Sequence, residues 1–229
     1  MDAELFPRSR REVAPGAVQV PDWLDTDRQL RLLRACREWA RPPAGLRTVR
    51  TPGGGTMTAR QVCLGLHWYP YGYARTVVDG DGAPVKPLPG RLAALGREAV
   101  EAALGPQFLP WEPYDIALIN FYDADARMGM HRDHDERSGA PVVSLSLGDS
   151  CAFRFGNTEN RARPFTDVEL RSGDLFVFGG PARFAYHGVP RVHPGTAPAA
   201  LGLTGRLNIT LRVSGLGTGP DRIMGDSPS

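Results

Sequence analysis

Short apolar runs separated by turn residues dominate the second half of this 229-residue chain, and they constrain its fold more than any other feature. The runs begin after Pro113, and glycine or asparagine stands between many of them. They cover residues 116–122, 142–147, 152–155, 165–170, 174–178 and 206–213. Several short strands with turn signals between them predict a β-sandwich or a β-barrel. Closure as a jelly roll, the double-stranded β-helix, is one way to protect the edge strands.

The first half of the chain has a different character, and its periodicity predicts two helices. Apolar residues recur at helical spacing between Asp22 and Ala40, and Arg41-Pro42-Pro43 ends this first helix. A second helix is predicted over residues 92–104. We therefore expect a mainly β (α+β) protein in which N-terminal helices precede a jelly-roll core.

The predicted boundaries divide the chain into four segments. Residues 1–20 carry arginines among prolines and are expected to form a flexible arm. Residues 215–229 are rich in glycine, proline and serine and are expected to be a disordered tail. Residues 21–115 hold the helices and an aromatic segment, and residues 116–214 form the β core.

Charge and cysteine content narrow the class of protein only slightly. The formal net charge of +2 is too small to argue for a nucleic-acid partner by itself, and only Lys86 among the 27 basic residues is a lysine. The N-terminus lacks the apolar run of a signal peptide, and no stretch is long and apolar enough to span a membrane. The three cysteines have no metal-binding spacing. These features predict a cytoplasmic protein with no membrane partner, and nothing in them demands more than a monomer.

A candidate metal site begins at His131 and Asp133, which are two residues apart and share one face if the segment is a strand. His187 is the best third ligand, and His193, in a loop rich in proline and glycine, is its rival. Two imidazoles and one carboxylate on one side of a metal leave positions open for co-substrates, which suits non-haem iron(II). Zinc accepts the same ligands.

The segment 206–212 alternates polar and apolar residues without exception. One face of the predicted strand carries Arg206, Asn208, Thr210 and Arg212. If the aliphatic residues pack outward, two arginines enter the barrel, and buried arginines are rare unless they pair with carboxylates. Their arms would leave a gap of about 6–8 Å, which fits a short dicarboxylate such as 2-oxoglutarate.

These motifs and their neighbours resemble the AlkB family of Fe(II)/2-oxoglutarate-dependent nucleic-acid dealkylating dioxygenases. The resemblance covers about residues 116–213, and the order and spacing of its motifs make it specific. Its segments are LINFY (118–122), HRDHDE (131–136), PVVSLSLG (141–148), FRFG (153–156), SGDLFVFGG (172–180), RFAYHGV (183–189) and RLNITLR (206–212).

The resemblance implies that iron(II) is held by three catalytic residues, His131, Asp133 and His187. It also implies that the co-substrate 2-oxoglutarate is bound by Asn120, Tyr122, Arg206, Asn208 and Arg212. Arg206 would hold the distal carboxylate, and Arg212 would lie near the keto-acid end. The implied reaction consumes dioxygen, hydroxylates an N-alkyl carbon and releases formaldehyde, succinate and carbon dioxide. Its implied substrates are bases of the 1-methyladenine and 3-methylcytosine type in DNA, with RNA as a second class.

The same resemblance implies four substrate-binding residues: Trp68, Tyr73, Asp135 and Arg161. The two aromatic residues belong to a cluster that also holds Tyr71, and this cluster is expected to form a nucleotide-recognition lid for a base that has left its stack. Asp135 is expected on the same strand face as His131 and Asp133. It resembles the family's carboxylate that contacts the exocyclic amine of the base. Arg161 is expected to be a polar neighbour of the base, and Arg163 fits that role equally well.

Three other interpretations use some of the same residues. A 2-oxoglutarate oxygenase acting on a protein or a small molecule would keep every iron and co-substrate residue and give the aromatic segment a different ligand. A non-catalytic jelly-roll binding module has no need for two arginines inside the barrel. A zinc hydrolase would use the same three ligands and leave the arginine-bearing strand unexplained.

Overall fold

The computed structural model describes residues 7–51, 53–70 and 72–216. The expectations for residues 1–6, Tyr71 and residues 217–229 lie outside this part of the chain. Its elements in chain order are β1 (Arg11–Ala14), β2 (Ala17–Val20), α1 (Thr26–Trp39), β3 (Arg47–Arg50), β4 (Thr56–Leu64), β5 (His67–Tyr69), β6 (Gly72–Ala74), α2 (Gly90–Leu104), β7 (Ile116–Tyr122), β8 (Met128–His131), β9 (Val142–Gly148), β10 (Ser150–Phe155), β11 (Thr166–Leu170), β12 (Leu175–Phe178), β13 (His187–His193) and β14 (Arg206–Arg212). The mainly β fold class, with helices in the first half of the chain, is confirmed.

The two helices match the predicted ones, with differences at their starts. The helix α1 starts later than predicted because Asp25 caps it, and the Asp25 carboxylate accepts a hydrogen bond from the Arg28 backbone N–H at 2.7 Å. The helix α2 starts at Gly90, two residues early, and ends before Gly105, whose φ of 97° favours glycine. Among the described residues, no helix combines the length and apolar character that a membrane crossing requires.

The large sheet has eight strands in the order β1-β2-β12-β9-β14-β7-β4-β3. The strand β14 lies near its centre and pairs antiparallel with β9 on one side and β7 on the other. Aliphatic residues of β14, among them Ile209 and Leu211, join apolar residues of α1 and α2 in one hydrophobic core. Since side chains alternate along a strand, the polar residues of β14 face the other side of the sheet.

A four-stranded sheet with the order β11-β10-β13-β8 packs against that other side. Phe153 and Phe155 from β10 contact Phe176 and Phe178 from β12, and this aromatic cluster joins the two sheets in a second buried core. The strand β8 lies at the outer edge of the small sheet and pairs with β13. The arginine-bearing face of β14 is therefore enclosed between two sheets.

The expectation of a flexible arm is wrong for residues 11–20. The strand β2 pairs with β12 in the large sheet, and Ala17 and Val18 are fully buried. Arg8 also donates to both carboxylate oxygens of buried Asp174 at 2.7 Å, which ties the start of the described chain to the core. The large sheet would otherwise end at β12, so these short strands cover backbone groups that would be left unpaired.

The boundary predicted at residue 116 does not separate two bodies, because β3 and β4 extend the large sheet beyond β7. The strand β4 pairs with β7 over residues 60–64. The aromatic segment that follows forms a separate two-stranded hairpin, β5-β6, in which Trp68 pairs with Tyr73. The first half of the chain thus contributes strands to the large sheet and also forms the separate β5-β6 hairpin.

Candidate metal and co-substrate site

The predicted metal ligands come together where the edge strand β8 of the small sheet pairs with its neighbour β13. His131 is the last residue of β8 and pairs in register with His187, the first residue of β13, so their ring centroids are 4.4 Å apart. Asp133 follows in a loop, which corrects the prediction that His131 and Asp133 share a strand face. The turn after β8 nevertheless brings the Asp133 carboxylate between the two imidazoles.

The spacing of the ligand atoms fits a single metal ion. The Nε2 atom of His131 lies 3.6 Å from Oδ1 of Asp133, and Nε2 of His187 lies 3.7 Å from Oδ2. One ligand atom from each of the three residues lies within 4.8 Å of the others. Each carboxylate oxygen of Asp133 is thus close to one imidazole nitrogen, as expected for three ligands around one ion.

Hydrogen bonds to the backbone orient both imidazoles for metal binding. The Nδ1 atom of His131 lies 3.1 Å from the Gly129 carbonyl, and Nδ1 of His187 lies 3.0 Å from the Ala185 carbonyl. A carbonyl only accepts, so each Nδ1 carries the proton and each Nε2 keeps its lone pair. Burial lowers the pKa of His187 to about 4, so this ring is neutral at pH 7.

The Asp133 carboxylate is ionised. Burial alone would raise its pKa, but Arg212 and the two imidazoles lower the pKa well below its usual value. The Nη2 atom of Arg212 lies 2.7 Å from Oδ2 of Asp133. Arg183 holds the loop from behind, because its Nη1 donates to the Asp133 backbone carbonyl at 2.7 Å.

Arg206 is a buried cation with unpaired hydrogen-bond donors. Its side chain is 1% exposed, and its Nη2 donates to Ser146 Oγ at 3.1 Å. Its Nε and Nη1 atoms are buried and have no hydrogen-bond partner. A buried guanidinium with two free donors is costly unless a carboxylate or similar anion pairs with it. The predicted role of Arg206 toward the distal carboxylate of 2-oxoglutarate therefore fits the structure.

The other predicted co-substrate residues line the same narrow cavity, which reaches from Arg206 to the metal ligands. They are Asn120, Tyr122, Asn208 and Arg212. The Asn208 amide donates to Ser144 Oγ at 2.7 Å and accepts from Thr210 Oγ1 at 2.9 Å, so its orientation is fixed. Burial raises the pKa of Tyr122, and its hydroxyl is therefore a neutral donor at pH 7.

Arg212 has different partners from Arg206. It pairs with Asp133 and also with Glu136, whose Oε1 lies 2.9 Å from Nη1 of Arg212. Glu136 in turn pairs with Arg183 at 3.0 Å. Arg212 is thus already neutralised by carboxylates, although its Nε has no hydrogen-bond partner, whereas Arg206 has no carboxylate partner among the described residues.

A larger cavity of about 510 Å³ opens on the other side of the metal ligands. Three of the predicted substrate residues line it: Trp68, Asp135 and Arg161. The Trp68 indole N–H donates to Oδ2 of Asp135 at 2.8 Å, so the aromatic wall and the carboxylate hold each other in place. Asp135 lies in the loop after β8, and not on the strand face from which its position was predicted.

The structure does not bring Tyr73 to this cavity. Tyr73 is 4% exposed and does not line the cavity wall. Its hydroxyl donates to Glu136 and lies 3.4 Å from Nη1 of Arg212. Tyr73 therefore links β6 to the cluster formed by Glu136 and Arg212.

The rival residues are placed elsewhere. His193 lies at the far end of β13, where its Nδ1 is 3.1 Å from Ser150 Oγ. Arg163 packs its guanidinium over Phe165 at 4.8 Å and does not line the large cavity, so Arg161 is the better placed of the two arginines.

Several residues of the site were not predicted from the sequence. Arg132, Tyr186 and Met130 line the large cavity, and Glu136 and Arg183 hold its polar base. Arg132 and Tyr186 are next to metal ligands in the chain, a signal that could have found them. The other positions depend on long-range packing that no local pattern shows.

Comparisons with known proteins agree with the site. The family model of the 2OG-Fe(II) oxygenase superfamily matches residues 16–212. The alpha-ketoglutarate-dependent dioxygenase AlkB homolog of Caulobacter vibrioides is 38% identical over 202 residues, which cover 87% of this chain and 88% of the relative. The solved structure of OsALKBH1 has a TM-score of 0.79 and 33% sequence identity, and the match covers 89% of this chain and 100% of that chain.

A plant protein is also similar over most of the chain. The DNA N(6)-methyladenine demethylase ALKBH1D of Arabidopsis thaliana is 32% identical over 221 residues, which cover 87% of this chain. The match spans 50% of the plant protein, so this chain corresponds to about half of that relative's length.

Proposed function

Since the chain belongs to the AlkB family within the 2OG-Fe(II) oxygenase superfamily, we propose that it oxidatively removes N-alkyl groups from nucleic-acid bases. Its substrates are alkylated DNA and, as a second class, alkylated RNA. The two facing sheets form the double-stranded β-helix expected of such an enzyme. The β5-β6 hairpin is its nucleotide-recognition lid. The enzyme acts as a cytoplasmic monomer.

One observation carries the proposal: two of the three metal ligands lie in a wall that two different cavities share. His131, Asp133 and Arg212 line both the narrow and the large cavity. The narrow cavity contains the unpaired donors of Arg206, which suit a dicarboxylate. The large cavity contains Trp68 and Asp135, an aromatic face beside a hydrogen-bond acceptor, which suit an unstacked base.

Each group of residues has a defined task in this proposal. Bound iron(II) and 2-oxoglutarate supply the dioxygen chemistry that hydroxylates an N-alkyl carbon, with succinate, carbon dioxide and formaldehyde as products. His131, Asp133 and His187 hold the iron, and the narrow cavity holds the dicarboxylate and excludes water from it. Trp68 stacks on the base and, through its indole N–H, keeps Asp135 directed at the base edge.

The other interpretations explain less of this geometry. A zinc hydrolase or a binding module leaves the two free donors of Arg206 buried without a purpose. A 2-oxoglutarate oxygenase with a protein or small-molecule substrate explains Arg206, and the choice between it and a nucleic-acid enzyme depends on the large cavity.

The decisive assay incubates the protein with iron(II), ascorbate, 2-oxoglutarate and oligonucleotides that carry 1-methyladenine, 3-methylcytosine or N6-methyladenine. We expect a loss of one methyl mass and release of formaldehyde, both dependent on 2-oxoglutarate and both abolished by His131→Ala. Succinate formation without methyl loss on any DNA or RNA would move the substrate outside nucleic acids. The absence of both reactions would favour a zinc hydrolase or a binding module.

A further inference from the structure

The guanidinium of Arg47, on β3, joins three parts of the chain. Its Nη2 donates to the backbone carbonyl of Trp68 on β5 at 2.6 Å, and its Nε donates to Oδ1 of Asp79 at 2.7 Å. Nη2 also donates to the side-chain oxygen of Gln61 on β4 at 3.3 Å. The Arg47 side chain is 8% exposed, and among the described residues it belongs to the wall of neither the narrow nor the large cavity. Arg47 is thus held by partners within the protein and does not contact either cavity directly.

Trp68 is fixed at two points, and Arg47 supplies one of them. The Trp68 indole N–H donates to Asp135 in the wall of the large cavity, and the Trp68 carbonyl accepts from Arg47. The hairpin that carries Trp68 has only three residues in each strand, β5 and β6. Because a two-stranded hairpin is marginally stable by itself, contacts from outside it decide where the indole lies.

The Asp79 carboxylate holds Arg47 in this orientation. Its Oδ1 lies 2.7 Å from Nε of Arg47 and also 2.7 Å from Nε2 of His67, a fully buried residue of β5. Burial lowers the pKa of His67 to about 4, so at pH 7 the charge of Asp79 is balanced by Arg47 and not by His67. The ion pair fixes the planar guanidinium so that its Nη2 reaches the Trp68 carbonyl.

A second route leads from Arg47 to Asn120, which lines both cavities. Arg47 can only donate, so the Gln61 side chain turns its oxygen toward Arg47. The Cys63 thiol, which lies 3.4 Å from the same oxygen, favours the same orientation. The Gln61 nitrogen is then free to donate to Oδ1 of Asn120, at 3.0 Å. Arg47 therefore determines which hydrogen bond the Asn120 side chain accepts.

We propose that Arg47 is a positioning residue that aligns the base with the co-substrate by fixing Trp68 and Asn120 at the same time, an inference that rests on the proposed function. Removal of its guanidinium leaves each of these residues without its contact to β3. A displacement of about 1 Å at the reacting groups can lower the rate about a hundredfold. The expected defect is uncoupling: 2-oxoglutarate is still oxidised to succinate with ascorbate as the reductant, but fewer methyl groups are lost.

The test measures succinate and formaldehyde in parallel for Arg47→Met and the wild type, on an oligonucleotide with 1-methyladenine. The KM for the oligonucleotide should rise about tenfold, the effect of losing one charge-assisted hydrogen bond. The ratio of succinate to formaldehyde should rise by about threefold or more. Succinate formation without an oligonucleotide, at saturating 2-oxoglutarate, should stay within about twofold of the wild type, because the metal ligands are untouched. Arg47→Lys keeps the charge opposite Asp79 but not the planar fork, so it should recover Tm more than KM.

A matched control separates positioning from stability. Arg8 is a half-buried arginine that pairs with buried Asp174 at 2.7 Å beside β2, at the opposite end of the large sheet from β3. Arg8→Gln should lower Tm as Arg47→Met does, and leave both the KM and the product ratio unchanged. In a Trp68→Ala background, Arg47→Met should raise the KM for the oligonucleotide by less than about twofold, because both changes act through the same residue.

Two results would overturn the assignment. If Arg47→Met lowers Tm but changes neither KM nor the product ratio, Arg47 only supports the fold. If the effects of Arg47→Met and Trp68→Ala on KM multiply, Arg47 does not act through Trp68.

Failure of the proposed function has a different signature, because the wild type then removes no methyl group from the oligonucleotide. Amide hydrogen exchange in β5 tests the Arg47 contact without any substrate. Exchange at Trp68 and Tyr69 should be about tenfold faster in Arg47→Met and unchanged in Arg8→Gln. Unchanged exchange in Arg47→Met would show that Arg47 does not fix the hairpin, whatever the substrate.

Discussion

Arg206 and Arg212 allow a sharp test of how the site is built, because they share one strand face but not the same partners. Both are buried, at 1% and 7% exposure. Arg212 pairs with two carboxylates, those of Asp133 and Glu136, whereas Arg206 donates only to the Ser146 hydroxyl among the described residues. Replacing each arginine with methionine should therefore change the free energy of unfolding in opposite directions.

The size of each change in the free energy of unfolding depends on the charged groups that the substitution leaves without a partner. Arg212→Met leaves the buried Asp133 carboxylate without its paired arginine and leaves Glu136 paired with Arg183 alone, and breaking a buried pair in this way costs about 3–5 kcal/mol. In a protein of this size, each kcal/mol lowers Tm by about 2–4 °C, so the melting temperature should fall by about 6–20 °C. Arg206→Met removes an uncompensated buried charge, and the variant without co-substrate should be as stable as the wild type or more stable by about 1–4 kcal/mol.

The same pair of variants should separate stability from co-substrate binding. Loss of a buried charge-assisted contact costs about 2–5 kcal/mol, which raises the Kd for 2-oxoglutarate by about 30-fold or more in Arg206→Met. The assay is thermal unfolding with manganese(II), with and without 2-oxoglutarate and in the absence of oxygen. The wild type should show a co-substrate-dependent rise in Tm, and Arg206→Met should lose it. If Arg206→Met is destabilised as much as Arg212→Met, or keeps the full rise, the reasoning about the unpaired donors is wrong.

Three further predictions concern the metal, the lid and the pH dependence of stability. His187→Ala should abolish turnover and weaken manganese(II) binding by at least about a hundredfold, because one of three ligands is lost. Calorimetry measures the metal affinity, and an unchanged affinity would exclude His187 as a ligand. Trp68→Ala should weaken oligonucleotide binding while 2-oxoglutarate turnover without substrate continues, and an equal loss of both activities would mean that Trp68 only supports the fold. Burial lowers the pKa of His67 to about 4, so protonation of the unfolded chain should reduce stability by up to about 1.4 kcal/mol per pH unit as the pH falls from about 6.5 to 4. Urea unfolding of His67→Gln should show a shallower slope over this range, and an identical slope would contradict the lowered pKa.

Local patterns predicted the features that follow from side-chain alternation along a strand and from the chemistry of metal ligands. The alternation over residues 206–212 predicted which side of β14 is polar, and the sheet confirms it because β7 and β9 pair with it over nearly its whole length. The three metal-ligating side chains meet as predicted, although Asp133 does so from a loop. Ligand chemistry identified them even where the assumed backbone was wrong.

The missed features all depend on partners far along the chain. The strand β2 has four residues, and its partner β12 begins more than 150 positions later, so no short pattern could identify the pair. Tyr73 fits an aromatic lid by composition, yet its direction is decided by Glu136, which lies 63 positions away. The difference between Arg206 and Arg212 likewise arises from side chains on other elements, and periodicity treats the two residues as equivalent.

The position of the metal ligands at the ends of β8 and β13 has a consequence for the mechanical integrity of the active site. The strand β8 has only four residues and a free outer edge, so few hydrogen bonds hold it to the small sheet. A metal bound to His131 and His187 cross-links the two strands at the register position where they pair. Met128 and His131 of β8 line both cavities, so a metal held by His131 and His187 would also fix the strand that separates the co-substrate from the base. Loss of the metal would then remove both the reactive centre and the wall that separates its two ligands.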